Sequence, residues 1–345
     1  MQNIKVEKVN MITFGIPSFN RERYLEPLVE SIYKCDIDEF EVLIVEDCSP
    51  EQEVIRNEVE KLTMKLSSGY KPIRYFENKL NLGFDKNLKK IINEASGSHI
   101  IFIGNDDIVN SGEMTKYVRE ILSNHDSSVF LRGYTTFDDV HGEVSFTQIV
   151  NKSRVANKYY DLNSVYRFSG IISGYAVNKK FAESMATDKF DGGLFYQLYL
   201  AFSAFTYSTV YLSCTVPVKC RRDVAPDFGS SQNEKHFIVG EYNLTARVEM
   251  VKTHLYIAEH FASSHPPEFM KMYKRAMSAN IAPQLITLQR CKHRNMAKMY
   301  LYLLKNGVGK NIRSLIIIII LVLFNKTRAA RILNYVSNML HLSKA

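Results

Sequence analysis

The sequence predicts an α/β fold, a largely parallel sheet with helices on both faces, followed by a mainly helical C-terminal region. Three observations point there. From residue 9 to 103, short runs of β-branched and other apolar residues alternate with amphipathic stretches. Polar or acidic residues follow the first, second and fourth of those runs, and three helical stretches follow residue 236. Strands alternating with helices imply right-handed crossovers and a ligand over the strand ends.

The elements follow in order. Val9 to Ile16 reads as a strand broken by Pro17, with Asn20 offered as N-cap of a helix from Arg21 to Lys34. FEVLIV (Phe40 to Val45) is a second strand ending at Glu46 and Asp47, and Val54, Ile55, Val59, Leu62 and Leu66 space a helix from Glu51 to Leu66. Ile73 to Phe76 is the third strand, Phe84 to Ala95 a helix with Leu88, Ile91 and Ile92 on one face, and Ile100 to Ile103 the fourth strand. That strand ends in Asn105, Asp106 and Asp107, where two adjacent carboxylates suit either a divalent metal on a phosphorylated ligand or ordinary capping of a turn. Val129 to Val150 reads as β-rich, residues 151–164 as a surface loop, Gly170 to Val177 as a strand returning to the sheet, and Phe195 to Tyr207 as a buried helix. Val210 to Val218 reads as one more strand, Arg221 to Asn233 as a mobile loop, and Glu241 to His260, Pro267 to Leu288 and Asn295 to Asn306 as helices.

With 345 residues the chain suits one large or two smaller domains. We place a first unit at 1–235, with halves at 1–110 and 111–235, and a helical region at 236–345 whose tail begins near 310. Met1 to Lys8 is polar with no apolar run and cleavage site behind it, so a cytoplasmic location is expected. The five cysteines are scattered without zinc spacing and read as free thiols in a reducing compartment. The net charge of +8 is uneven: after Glu268 there are 14 Lys and Arg and no acid, which leaves about −6 on the rest.

Four stretches, MITFGIPSFNRERYLEPLVESI, EVLIVEDCS, NLGFDKNL and IIFIGNDD, together resemble the family 2 glycosyltransferases in content and order. NLGFDKN, IGNDD and the later FD and CRRD are most similar to the abequosyltransferase-type enzymes of bacterial O-antigen synthesis. The resemblance implies a GT-A fold and inverting transfer from a nucleotide-sugar donor, with Mg²⁺ or Mn²⁺ stabilising the departing diphosphate. It implies that Asp106, with Asp107 beside it, holds the metal, although Gly104 and Asn105 stand where the pattern has more acid. It implies donor contacts from Pro17, Phe19, Asn20, Arg21, Glu46, Asp47, Asn81, Gly83, Lys86, Asn87, Asn105 and Asp106, and from Arg221 and Arg222 on a closing loop. For the base that takes the acceptor proton, the usual Glu-Asp pair is missing from LFYQLYL; Asp191 is the nearest candidate and Asp188 the second.

The basic tail bears on partners. Leu315 to Phe324 is unbroken apolar sequence of about half a spanning length. Its flanking Lys310, Arg313, Lys326, Arg328 and Arg331 suit a helix lying in an anionic membrane surface, though a buried helix capped by basic residues fits as well. Basic residues alternating with apolar runs argue against nucleic acid. The family resemblance, with this tail, implies sugar transfer to a lipid-linked oligosaccharide of a bacterial surface polysaccharide, O-antigen or capsule, at the cytoplasmic face of the inner membrane. A polyprenyl-phosphate sugar transferase and a catalytically decayed sugar-nucleotide-binding scaffold are the alternatives.

Overall fold

Four apolar segments, β1 (Ile12–Ser18), β2 (Phe40–Glu46), β3 (Ile73–Glu77) and β4 (His99–Phe102), lie side by side as parallel strands in the order β3-β2-β1-β4. The computed structural model of the chain describes residues 11–240, 244–287, 293–325, 327–329, 331–333 and 335. Helices α1 (Leu25–Tyr33), α2 (Gln52–Leu66) and α3 (Phe84–Glu94) make the crossovers. Every residue of β2 is buried, which is why its sequence is a continuous apolar run rather than an alternating one. Helix α3 lies so close to β1 that a Cβ on Gly15 would stand 2.5 Å from the Ile91 side chain.

Beyond β4 come β5 (Ile108–Val109), α4 (Ser111–Ser123), β6 (Val129–Leu131), β7 (Tyr134–Asp138), β8 (Gly142–Thr147) and β9 (Arg154–Val155). Next are α5 (Leu162–Ser169), β10 (Tyr175–Asn178), α6 (Lys179–Ser184), α7 (Tyr196–Tyr207), β11 (Val210–Leu212) and β12 (Val218–Arg221). Among the described residues the main sheet continues β4-β10-β6-β11-β9, with β10 antiparallel to both neighbours, and a smaller sheet runs β5-β12-β7-β8. Helices α8 (Leu244–Phe261), α9 (Phe269–Thr287), α10 (His293–Lys305) and α11 (Ile312–Leu323) complete the described chain. One hydrophobic core runs from Leu43 and Val45 of β2 through α7 and α9 to Leu321 of α11, so residue 235 marks no break in the packing.

Several expectations change. Pro17 does not end β1: the ladder to β4 stops at Gly15, so the edge beyond is free of N–H partners and tolerates a proline, while Pro17 still faces Val45 of β2. Asn20 caps no helix. It and Arg21 are left-handed, at φ 53° and 69°, and a 3₁₀ turn, Glu22–Tyr24, precedes α1. The single strand expected at Val210 to Val218 is two, β11 and β12 in different sheets, parted by a turn in which the Thr215 N–H donates to Ser213 Oγ at 3.1 Å. The loop expected at 151–164 contains β9 and the start of α5. Four cysteines are free thiols, and Cys291, Lys326, residues 1–10 and 336–345 lie outside the described residues.

Candidate active site

The carboxyl ends of β1, β2 and β4 open onto one cavity of about 190 Å³. Pro17, Phe19, Arg21, Asp47, Asn81, Gly83, Asn87, Asn105, Asp106 and Asp107 all line it, so the acids that end β2 and β4 share one pocket. That convergence follows from register: Ser18 pairs with Glu46, and the Ile103 N–H donates to Gly15 O, which brings three strand ends level.

Asp47 organises the nearer wall. Its carboxylate accepts from the N–H groups of Leu82 and Gly83, each at 2.8 Å, and from Asn78 Nδ2 at 2.8 Å. Burial nevertheless pushes its carboxyl up to about 6, because those donors recover only part of the lost hydration. Asn87 donates to Val45 O at 3.0 Å and accepts from Asn78, a polar prop beneath the same turn. Gly83 is left-handed at φ 84°, and a Cβ there would meet Glu234 Oε1 at 2.9 Å. Gly83→Ala is therefore expected to lower stability by about 1–3 kcal/mol, measured by urea unfolding. An unchanged midpoint would mean the turn is not held closed.

The opposite wall is electrostatic. Asn105 donates to Asn20 O at 3.0 Å and braces the left-handed turn that sends Arg21 inward. The Arg21 guanidinium stands between Asp106, at 3.0 Å, and Asp227, at 2.8 Å. Two carboxylates with a cation between them form an oxygen-only donor set of the kind Mg²⁺ or Mn²⁺ takes when water and phosphate complete the shell. Here the Arg21 guanidinium takes the place between them, and among the described residues no group of three His, Cys, Asp or Glu could hold a metal ion. Asp107 is not a second open ligand. Its oxygens accept from the Ser173 hydroxyl and, at 2.7 Å, from the Arg221 N–H, and burial pushes it up to about 7. The same brace explains Gly104, where a Cβ would approach Ser173 Oγ at 3.1 Å and Asp107 Oδ2 at 3.2 Å.

Residues 13–184 match the family model described as Glycosyl transferase family 2. The chain carries a family 2 glycosyltransferase domain. Over 120 residues it is 30% identical to poly(ribitol-phosphate) beta-N-acetylglucosaminyltransferase TarS of Staphylococcus aureus, covering 34% of this chain and 19% of that protein. Over 101 residues it is 33% identical to abequosyltransferase RfbV of Salmonella typhimurium, 28% of each chain. The matches thus span well under two thirds of these relatives. The crystal structure of S. aureus TarS aligns at TM-score 0.53 and 18% identity over 83% of this chain and 50% of that one. TarS 1-349 in complex with UDP-GlcNAc aligns at 0.50 and 16% identity over 83% of both. The fold is GT-A.

Several expected donor and catalytic residues lie outside the cavity of this family 2 domain. Asn20 lines a neighbouring depression instead, its side chain turned from the cavity by the left-handed backbone. Glu46 is fully buried and caps the turn into α2, accepting from the Cys48 N–H at 2.8 Å, the Ser49 N–H at 3.0 Å and Gln52 Nε2 at 2.9 Å. Lys86 faces away because helical rotation turns it from the buried Asn87, and it lines a separate depression with Asp188. Asp188 and Asp191 both bind Lys89, Asp191 at 2.6 Å, and neither lines the cavity. Arg221 and Arg222 are no lid: β12 pairs with β7, which delivers Arg221 to Asp139 at 2.6 Å, between the Tyr24 and Phe137 rings, and Arg222 to Asp138.

The stretch that lies against the cavity is 225–234, within the loop expected at Arg221 to Asn233 except for Glu234, and none of its residues was among the expected contacts. Asp227, Phe228, Ser230 and Glu234 line the cavity. Arg21 donates to Ala225 O at 2.6 Å, Asn81 to Ser230 Oγ at 3.0 Å and Asn233 to Leu82 O at 2.9 Å. Glu234 accepts from the Phe84 N–H at 2.6 Å, and burial raises its carboxyl. Asp85 was missed too: it accepts from the N–H groups of Leu194 and Tyr196, tying α3 to the start of α7, and burial pushes it up to about 7.

These carboxyls set an expected pH dependence. Asp47 and Asp85 hold protons in the folded chain to about 6 and about 7. The unfolded chain releases its own near pH 4, so these two groups favour folding at low pH and that contribution is lost as pH rises from about 4 to 7. Asp85→Asn should flatten the fall in melting temperature between pH 5.5 and 7.5, and an unaltered slope would discount Asp85 as a source.

Proposed function

We propose that the protein is an inverting glycosyltransferase that moves a sugar from a nucleotide-sugar donor onto a lipid-linked oligosaccharide of a bacterial surface polysaccharide. The observation that supports this most is the single cavity shared by Asp47 and Asp106 at the ends of β2 and β4. In this reading Pro17 and Phe19 pack against the base, and Asp47 orders the turn through Gly83 that faces the nucleoside. Arg21 and Asp106 meet the diphosphate. A divalent ion on Asp106 would neutralise charge on the departing nucleotide. The 225–234 strap, latched by Asp227 on Arg21 and Glu234 on the Phe84 N–H, closes over the donor and keeps water from it.

Docking on the membrane would be the task of α11. Leu315, Ile316, Ile319, Val322 and Leu323 form an exposed apolar stripe, while Ile317, Ile318, Ile320 and Leu321 pack inward. Lys310, Arg313, Arg328 and Arg331 flank the stripe, a match to anionic lipid. No helix among the described residues is long and apolar enough to cross a membrane.

The test is a melting-temperature screen of nucleoside diphosphates and their sugars with and without Mg²⁺ or Mn²⁺, followed by transfer of labelled sugar to extracted lipid-linked oligosaccharide or to polyprenyl phosphate. Stabilisation by a nucleoside diphosphate and transfer to the oligosaccharide are expected. Transfer to polyprenyl phosphate alone would overturn the acceptor, and no stabilisation by any nucleotide would overturn the donor site. Asp191→Asn should keep transfer within a few-fold and cost about 1–3 kcal/mol of stability, because Lys89 loses its better-buried partner. A loss of a hundredfold or more with stability intact would make Asp191 the base after all.

A further inference from the structure

A second cavity of about 420 Å³ adjoins the first, and Phe84, Ile172 and Phe228 line both. Its far side is built from the start of α7 and from α8, and α8 lies beyond the residues that match the family. Two of its lining residues, Gln197 and His254, are only 3% and 5% exposed. Each has a buried polar atom without a hydrogen-bond partner, Oε1 of Gln197 and Nε2 of His254. Native structures seldom keep such atoms unpaired, and a ligand entering the cavity can supply the partner for both.

The chemistry of that partner can be read from the tautomer. His254 Nδ1 lies 2.7 Å from the hydroxyl of Tyr166, itself buried, and this is the hydrogen bond that the Tyr166 O–H has to give. We assign the hydroxyl as the donor to Nδ1, which puts the ring hydrogen on Nε2. Burial pushes the imidazole down to about 3, which keeps the ring neutral across the physiological range. Besides Arg167, Arg247 and Asn280, the wall thus presents an imidazole N–H and an amide carbonyl among the rings of Tyr134, Phe195 and Phe228. A hydroxyl is donor and acceptor at once, and the C–H face of a sugar ring packs on aromatic side chains.

We propose that this second cavity seats the glycosyl unit of the acceptor, held at its hydroxyls by the His254 Nε2–H and the Gln197 side-chain carbonyl. The proposal rests on the transferase reading above, which needs an acceptor hydroxyl delivered across the wall shared with the donor cavity. It makes Gln197 and His254 specificity-determining residues and assigns part of the acceptor choice to α8.

Saturation-transfer NMR with the full chain and a panel of methyl glycosides of glucose, galactose, mannose, rhamnose and N-acetylglucosamine tests it. At least one glycoside should receive saturation from the unaltered protein. That signal should fall at least fivefold in Gln197→Leu and in His254→Leu, and recover in part in His254→Gln, which restores an N–H donor. Melting temperature shifts given by nucleoside diphosphates should be unchanged in all three, which also shows that each variant is folded. No glycoside signal with the unaltered protein, or an undiminished signal in both leucine variants, overturns the proposal. If nucleotides bind and glycosides do not, this inference fails and the donor reading stands; if glycosides bind and nucleotides do not, the donor reading fails alone.

Discussion

Asp106→Ala is expected to lower sugar transfer by about 10³-fold while leaving the protein folded. The rate effect follows from position. Asp106 is the carboxylate at the end of β4 that faces the cavity without being consumed by a backbone brace, unlike Asp107, so a metal or diphosphate that depends on it has no substitute on that strand. The tolerance follows from what remains. Arg21 keeps Asp227 at 2.8 Å and the Ala225 carbonyl at 2.6 Å, so no charge is stranded when Asp106 is removed. Single-turnover transfer of labelled sugar, with Mn²⁺ or Mg²⁺ titrated against both proteins, measures the effect. A loss smaller than tenfold would remove Asp106 from the chemistry.

Replacing Leu315, Ile316, Ile319 and Val322 together by serine should weaken binding to anionic vesicles by about 10³-fold. Each is half-exposed on one stripe of α11, and withdrawing an aliphatic side chain of that exposure from a membrane interface costs about 1 kcal/mol. The four inward residues of the same helix still pack against α9 and α10, so the helix should stay in place. Vesicle sedimentation across a range of phosphatidylserine content separates the outcomes. Undiminished pelleting would show that α11 is not the contact, and binding that persists on neutral vesicles would deny the basic flanks their part.

The half of the fold that the sequence revealed is the half whose signals are local. Strands β1, β2 and β4 are buried and rich in apolar residues, and the residues that matter follow the ends of β2, β3 and β4 within one to six positions. Asp47, Asn81, Gly83, Asn105 and Asp106 were legible for that reason. The placement of the others depends on contacts across the chain. Asp188 and Asp191 looked available as bases because Lys89, about a hundred positions earlier, gives no local sign that it will claim them. Arg221 and Arg222 looked like a lid until the pairing of β12 with β7 set them beside Asp139 and Asp138. Glu234 reaches the Phe84 N–H across 150 residues, and no spacing announces it. Glu46 and Lys86 lie outside the cavity for a simpler reason, since adjacency in sequence to a cavity residue puts a side chain on a different face of a strand or helix.

The placement of α8 has a practical corollary. Anyone wanting a detergent-free preparation would be tempted to trim the chain where the family match fades and discard the greasy end. Such an excision after residue 184 would take away α7, β11, β12 and the 225–234 strap as well as His254 and Met250, and leave both cavities open. Repainting the outer stripe of α11 with polar side chains, and leaving every helix where it is, is the safer route to a well-behaved sample.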